Sequence, residues 1–111
     1  MNSRKARGYK SQAIVAAYLQ EQGWPYAQPV GAGRPGSDIT GVPWDVEVFA
    51  RRDGLTALLE KLEQQHQRND FPRKVVIMRP DGWGEARVHL WPAITMLEDW
   101  IRTTRELGGN P

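Results

Sequence analysis

Asp38 and Glu47 are the pair of residues in this chain whose types and spacing could do chemistry. Asp38 closes a glycine-rich stretch, GAGRPGSD (31–38), and Glu47 lies in the alternating run WDVEVFARR (44–52), with the tight TGVP (40–43) between them. Such a turn lets the flanking segments lie side by side as a hairpin, and cross-strand neighbours sit about 5 Å apart. Two carboxylates plus the main-chain carbonyl of Val48 would form an all-oxygen site for a hard cation, Mg²⁺ or Mn²⁺. A cation held there beside a phosphodiester would point to metal-assisted hydrolysis. The same residues have a plainer use, with Asp38 bonding its own backbone in a turn and Glu47 pairing with Arg51 across a wet face.

The elements that must position these groups follow from periodicity. Ile14, Val15, Tyr18 and Leu19 predict a helix over 9–22, stopped by Gly23. From Trp44 to Arg52 the period is two, which puts Trp44, Val46, Val48 and Ala50 on a core face and Asp45, Glu47, Phe49 and Arg51 on the other. Asp53 reads as the N-cap of a helix to about Arg68, with Leu55, Leu58, Leu59 and Leu62 as its apolar stripe. Lys74–Met78 predicts a buried strand and RPDGWG (79–84) a turn. Arg87–Trp91 predicts a further strand, and Pro92 opens a last helix over about 93–107, where Ile94, Leu97, Ile101 and Thr104 form a stripe that closes the core or dimerises. The expectation is one α/β domain, a mixed sheet flanked by helices, preceded by a basic segment (1–10).

The pattern GSDI…WDVEVFARR resembles the PD-(D/E)XK nuclease superfamily, in the branch of archaeal-type Holliday junction resolvases and small phage-encoded nucleases. Around it, RKARGYKSQAIVAAYL, GAGRPGSDI and LEKLEQQ are similar to that branch's basic segment and first helix, glycine loop and glutamine-bearing helix, so the likeness covers residues 4 to about 80. It implies a restriction-endonuclease-like fold and an endonuclease acting on branched DNA in recombination or repair, with two copies forming a homodimer. It further implies that Asp38 and Glu47 bind the metal and that Val48 contributes its carbonyl. Gln64, or Gln65 in the alternative register, would orient the site, and Gln12 would stand near the first-helix position where many members have glutamate. The departure is Phe49, which occupies the motif-lysine position. Arg51 or Lys61 could substitute for the missing cation; otherwise the chain binds DNA without cutting it.

Composition sets the remaining bounds. At 111 residues, 40% hydrophobic and 25% charged, the chain suits a soluble globular domain. It contains no cysteine, which excludes disulfides and thiolate metal sites, and His66 and His89 lie far apart with no zinc spacing, so zinc is not expected. No GKS or GKT follows the glycine stretch, so no nucleotide cofactor is expected. The absence of a long apolar run suggests a cytoplasmic protein with no membrane partner. Net charge is +2, but residues 1–52 hold seven basic against four acidic groups, which gives +3. Arg4, Lys5, Arg7, Lys10, Arg34, Arg51 and Arg52 are the expected phosphate contacts, or else a solvated basic surface. Trp83, in the glycine turn, is the tryptophan placed to meet a partner or a nucleic acid.

Overall fold

The computed structural model describes residues 3–31, 36–49, 54–68 and 73–107, with side chains from Gly8 onward. Chain order is α1 (Ser3–Glu21), β1 (Gln28–Pro29), β2 (Ile39–Thr40), β3 (Asp45–Phe49), α2 (Gly54–Gln67), β4 (Lys74–Met78), a 3₁₀ helix (Glu85–Leu90), β5 (Ala93–Ile94) and α3 (Leu97–Glu106). β4 is central, parallel to β3 (Asp45 opposite Lys74, Phe49 opposite Met78) and antiparallel to β5 (Val76 opposite Ile94). β1 and β2 form a separate antiparallel pair. The result is the expected α/β architecture, a small mixed sheet flanked by helices, and no helix among the described residues is long and apolar enough to cross a membrane.

Two apolar clusters hold the layers together. Ile14, Val15 and Ala16 of α1 pack with Ala27, Ile39, Val46 and Trp91. Leu58 and Leu62 of α2 pack with Phe49 and Val76. Val46 and Phe49 therefore serve opposite faces of β3, as the two-residue period requires. The supposed wet face of β3 is buried instead: Asp45, Glu47 and Phe49 all lie beneath α2. A parallel strand joined by a crossover helix is covered on both faces, so alternation marks which helix a residue meets and not whether it meets water. Of the leucine stripe on α2, Leu58 and Leu62 are buried, while Leu55 and Leu59 are exposed.

The C-terminal third departs from expectation. Residues 85–90 wind into a 3₁₀ helix where a strand was expected, and α3 begins at Leu97, not after Pro92. The Pro92 carbonyl accepts the Met78 N–H at 2.9 Å, and the Thr95 hydroxyl donates to the Lys74 carbonyl at 2.8 Å. These bonds, on either side of β5, hold residues 92–95 against β4 and delay the helix by a turn. Ile94 packs on the α2 cluster, but Leu97 and Ile101 are exposed, so the final stripe does not close the core.

Gly41 sits in the bend between β2 and β3 at φ +80°, and a Cβ there would run into the Tyr26 main-chain carbonyl. Gly41→Ala combines left-handed strain with a backbone overlap, so it should cost at least ~2 kcal/mol. Urea unfolding followed by circular dichroism measures this, and a loss under about 0.5 kcal/mol would show that the bend is not constrained.

Candidate active site

Ser37 and Asp38 run along the free edge of β3. The Ser37 hydroxyl accepts the Val46 N–H at 2.9 Å and donates to the Ile39 carbonyl at 2.8 Å. The Asp38 N–H donates to the Val46 carbonyl at 2.7 Å, and Asp38 Oδ2 accepts the Val48 N–H at 2.8 Å. The expected juxtaposition of Asp38 with β3 is therefore present, although β2 itself pairs with β1 and the hairpin reduces to these few bonds.

Burial pushes the Asp38 carboxyl up to about 7, against the pull of the Val48 N–H. The Glu47 carboxylate beside it pushes the same way, through its charge and a hydrogen bond between the two groups, while Lys61 of α2 pulls down. Two carboxyls within hydrogen-bonding reach favour holding a proton between them, or a cation in its place. Hard oxygen donors converging at a desolvated edge fit a divalent cation held by Asp38 and Glu47. No cluster of three or more His, Cys, Asp or Glu ligands occurs among the described residues.

Sequence reasoning missed Arg68, which stands just after α2. Its Nη2 and Nε donate to Asp45 Oδ1 and Oδ2 at 2.7 and 3.2 Å, and its Nη1 donates to Glu47 Oε1 at 2.8 Å. Burial works against the guanidinium charge, but the hydrogen bonds to Asp45 and Glu47 outweigh it and raise its pKa above the ordinary arginine value. Asp45 is fully buried (0% exposed), so this fork is what permits its charge. The available signal was that Asp45 shares a strand face with Glu47 while an arginine ends the following helix; the expected Arg51 partner lies outside the described residues.

The remaining site residues divide clearly. Gln65, not Gln64, faces inward, and its amide donates to the Asp45 and Val75 carbonyls at 2.9 Å each, tying β3 to β4. Gln64 is exposed. A glutamine on this helix therefore braces the sheet and does not orient the carboxylates. Gln12 is buried, and its side-chain carbonyl accepts the Gly31 N–H at 3.3 Å, which anchors the start of the glycine stretch. Phe49 is 4% exposed among Leu58, Leu62 and Val76 and is a core residue. Lys10 is exposed on α1, and Trp83 is half-buried with the Arg87 guanidinium 3.8 Å above its ring. The side chains of Arg4, Lys5 and Arg7, and all of Arg34, Arg51, Arg52 and Asp53, lie outside what the structure describes.

Among known proteins, no family model, no curated protein and no solved structure matches the chain.

Two outcomes test this electrostatic arrangement. Arg68→Ala leaves Asp45 charged and unpaired in the interior, a loss of about 3–5 kcal/mol. Adding Asp45→Asn should recover part of it, and an unfolding experiment giving under 1 kcal/mol for Arg68→Ala would disprove the dependence. Asp38 has the opposite sign. Between pH 3.8 and about 7 the folded chain keeps a proton that the unfolded chain releases. Its stabilising contribution is thus complete below 3.8 and lost as pH rises through about 7. Asp38→Asn should melt ~3–5 °C above the parent at pH 8 and converge with it near pH 4. A pH-independent difference would sink this reading.

Proposed function

We propose that the chain is a metal-dependent DNA endonuclease of restriction-endonuclease-like architecture, acting on branched DNA in recombination or repair. One observation carries this reading. Asp38 and Glu47 meet at the free edge of β3, and Lys61 of α2 acts on the same carboxyl. Asp38 and Glu47 would hold Mg²⁺ or Mn²⁺ with the Val48 main-chain carbonyl. Such a cation, when bound, supplies an activated water and neutralises charge on the phosphate.

The chain's own groups do the rest. Arg68 fixes one Glu47 oxygen and so sets the orientation of the other. The Val48 N–H does the same for Asp38 through Oδ2. Lys61 takes the role of the missing motif lysine, bringing positive charge to the developing phosphate charge from the helix and not from the strand. Lys10 and the basic residues at the start of α1 grip phosphates, which makes binding fall steeply with salt.

A second reading has its own observation. Phe49 is a core residue and Glu47 is already ion-paired, which suits a domain that binds DNA without cutting it. A labelled four-way junction and a matching duplex, incubated in Mg²⁺ or Mn²⁺, separate the two. The nuclease reading expects junction cleavage by the parent, none by Glu47→Gln, and a loss on the order of a hundred- to a thousandfold in Lys61→Met. Mn²⁺ should also raise the parent's melting temperature at pH 8 but not that of Asp38→Asn. Salt-dependent binding without cleavage in either metal would replace the enzyme with a DNA-binding domain, and no binding at low salt would remove both.

A further inference from the structure

α3 is docked with its polar side inward. Asp99, 3% exposed, is the residue of the helix that is buried, and it faces the Nδ1 of His66 at 3.8 Å and the Nη1 of Arg102 at 3.3 Å. Arg73 ties the far end of the helix through Glu106 at 2.7 Å. The apolar side faces solvent: Leu97, Trp100 and Leu107 are 69%, 56% and 76% exposed, and Ile101 lies beside them. A shallow groove of about 570 Å³ follows the same helix, lined by Leu97 and Ile101 with Glu98, Arg102, Arg105 and Glu106. An amphipathic helix normally buries its apolar stripe, and leaving this one in water forfeits the largest favourable contribution the helix could make.

We infer that this face is a self-association surface, on which two copies pack α3 against α3 antiparallel about a two-fold axis. The charges select a second copy over a foreign partner. Glu98 stands in the first turn and Arg105 in the last. In an antiparallel pair centred near Ile101 and Arg102, each Glu98, which pairs with Arg102 of its own helix at 3.2 Å and is 69% exposed at its side chain, also comes within reach of the other copy's Arg105, so the surface complements itself twice. Arg105 makes no ion pair among the described residues and is available for that contact. The antiparallel arrangement also sets the two helix dipoles side by side in opposite directions, which is favourable. The apolar stripe amounts to roughly 400 Å² per copy, at the size where a patch marks an interaction site. Doubled and rimmed by charge, it reaches about 1,000 Å², the low end of specific interfaces, which suits a reversible dimer. The inference does not depend on the nuclease reading.

Sedimentation of the full chain from about 1 to about 200 µM tests it, with the weight-average mass expected to climb from one chain to two. Trp100→Glu should weaken association at least tenfold. Glu98→Arg and Arg105→Glu should each weaken it severalfold, while both changes in one chain restore it. Each variant alters an exposed side chain, and circular dichroism checks that the fold persists. A single-chain mass at every concentration overturns the proposal, as does association that Trp100→Glu leaves unchanged. Single charge reversals that weaken association without rescue by the double variant overturn the antiparallel arrangement. Flotation of a monomeric chain with anionic vesicles would assign the face to a membrane surface instead.

Discussion

Removing two neighbouring carboxylates from water costs several kcal/mol each unless a fixed cation meets them, and in this fold Arg68 is that cation. Its planar guanidinium takes both Asp45 oxygens and one from Glu47, a geometry that a lysine's point charge cannot reproduce. The consequences spread from there. The pairing allows β3 to be covered by α2, and Gln65 from the same helix reaches past it to the Asp45 and Val75 carbonyls. Where α2 ends, the Lys74 ammonium donates to the His66 carbonyl at 3.0 Å and satisfies one of the acceptors left by the last turn. Helix, strand register and ion pairs therefore depend on one another.

The same constraint shapes the edge where Asp38 sits. Glu47 is shared between Arg68 on one side and Asp38 on the other, and Asp38 is held by the Val48 N–H. Neither carboxylate is free to turn away, so their repulsion is relieved by a proton or a cation and not by movement. That is a poised arrangement that costs stability near neutral pH, a cost that functional sites commonly carry. Phe49 adds to the same picture: burying it is worth roughly 2–3 kcal/mol of apolar transfer, and a lysine in its place would put an ammonium among Leu58, Leu62 and Val76. Beside Arg68, which meets Glu47, Lys61 of α2 brings positive charge towards Asp38.

α3 shows the opposite resolution of polar and apolar surface. Its inner contacts are a carboxylate and an exposed-edge ion pair, with Asp99 Oδ2 and the Thr103 hydroxyl lacking hydrogen-bond partners among the described residues. Its outer face carries the apolar residues. The reason lies in β5 and the bonds that flank it at Pro92 and Thr95, which hold residues 92–95 on β4 and so set the phase at which the helix starts.

Much of the layout was legible from residue order alone. The alternation of WDVEVF, the helical spacing of α1 and α2, and the apolar run at 74–78 are local properties, each readable within a window of a few residues. The closeness of Asp38 and Glu47 was legible too, because a tight bend of four residues leaves their segments few ways to run. What tertiary structure alone decided was which partners meet across distance. The leucine stripe on α2 already favours Gln65, which lies about 70° from its centre where Gln64 lies about 170° away; what tertiary structure decided is that Gln65 meets the Asp45 and Val75 carbonyls. That Asp45 and Glu47 face a helix and not water depends on the parallel crossover, which alternation alone cannot distinguish from a solvated edge. The choice of Arg68 as their counter-ion follows from where α2 ends over the strand, and the outward turn of α3 follows from two hydrogen bonds, at Pro92 and Thr95, that no local pattern encodes.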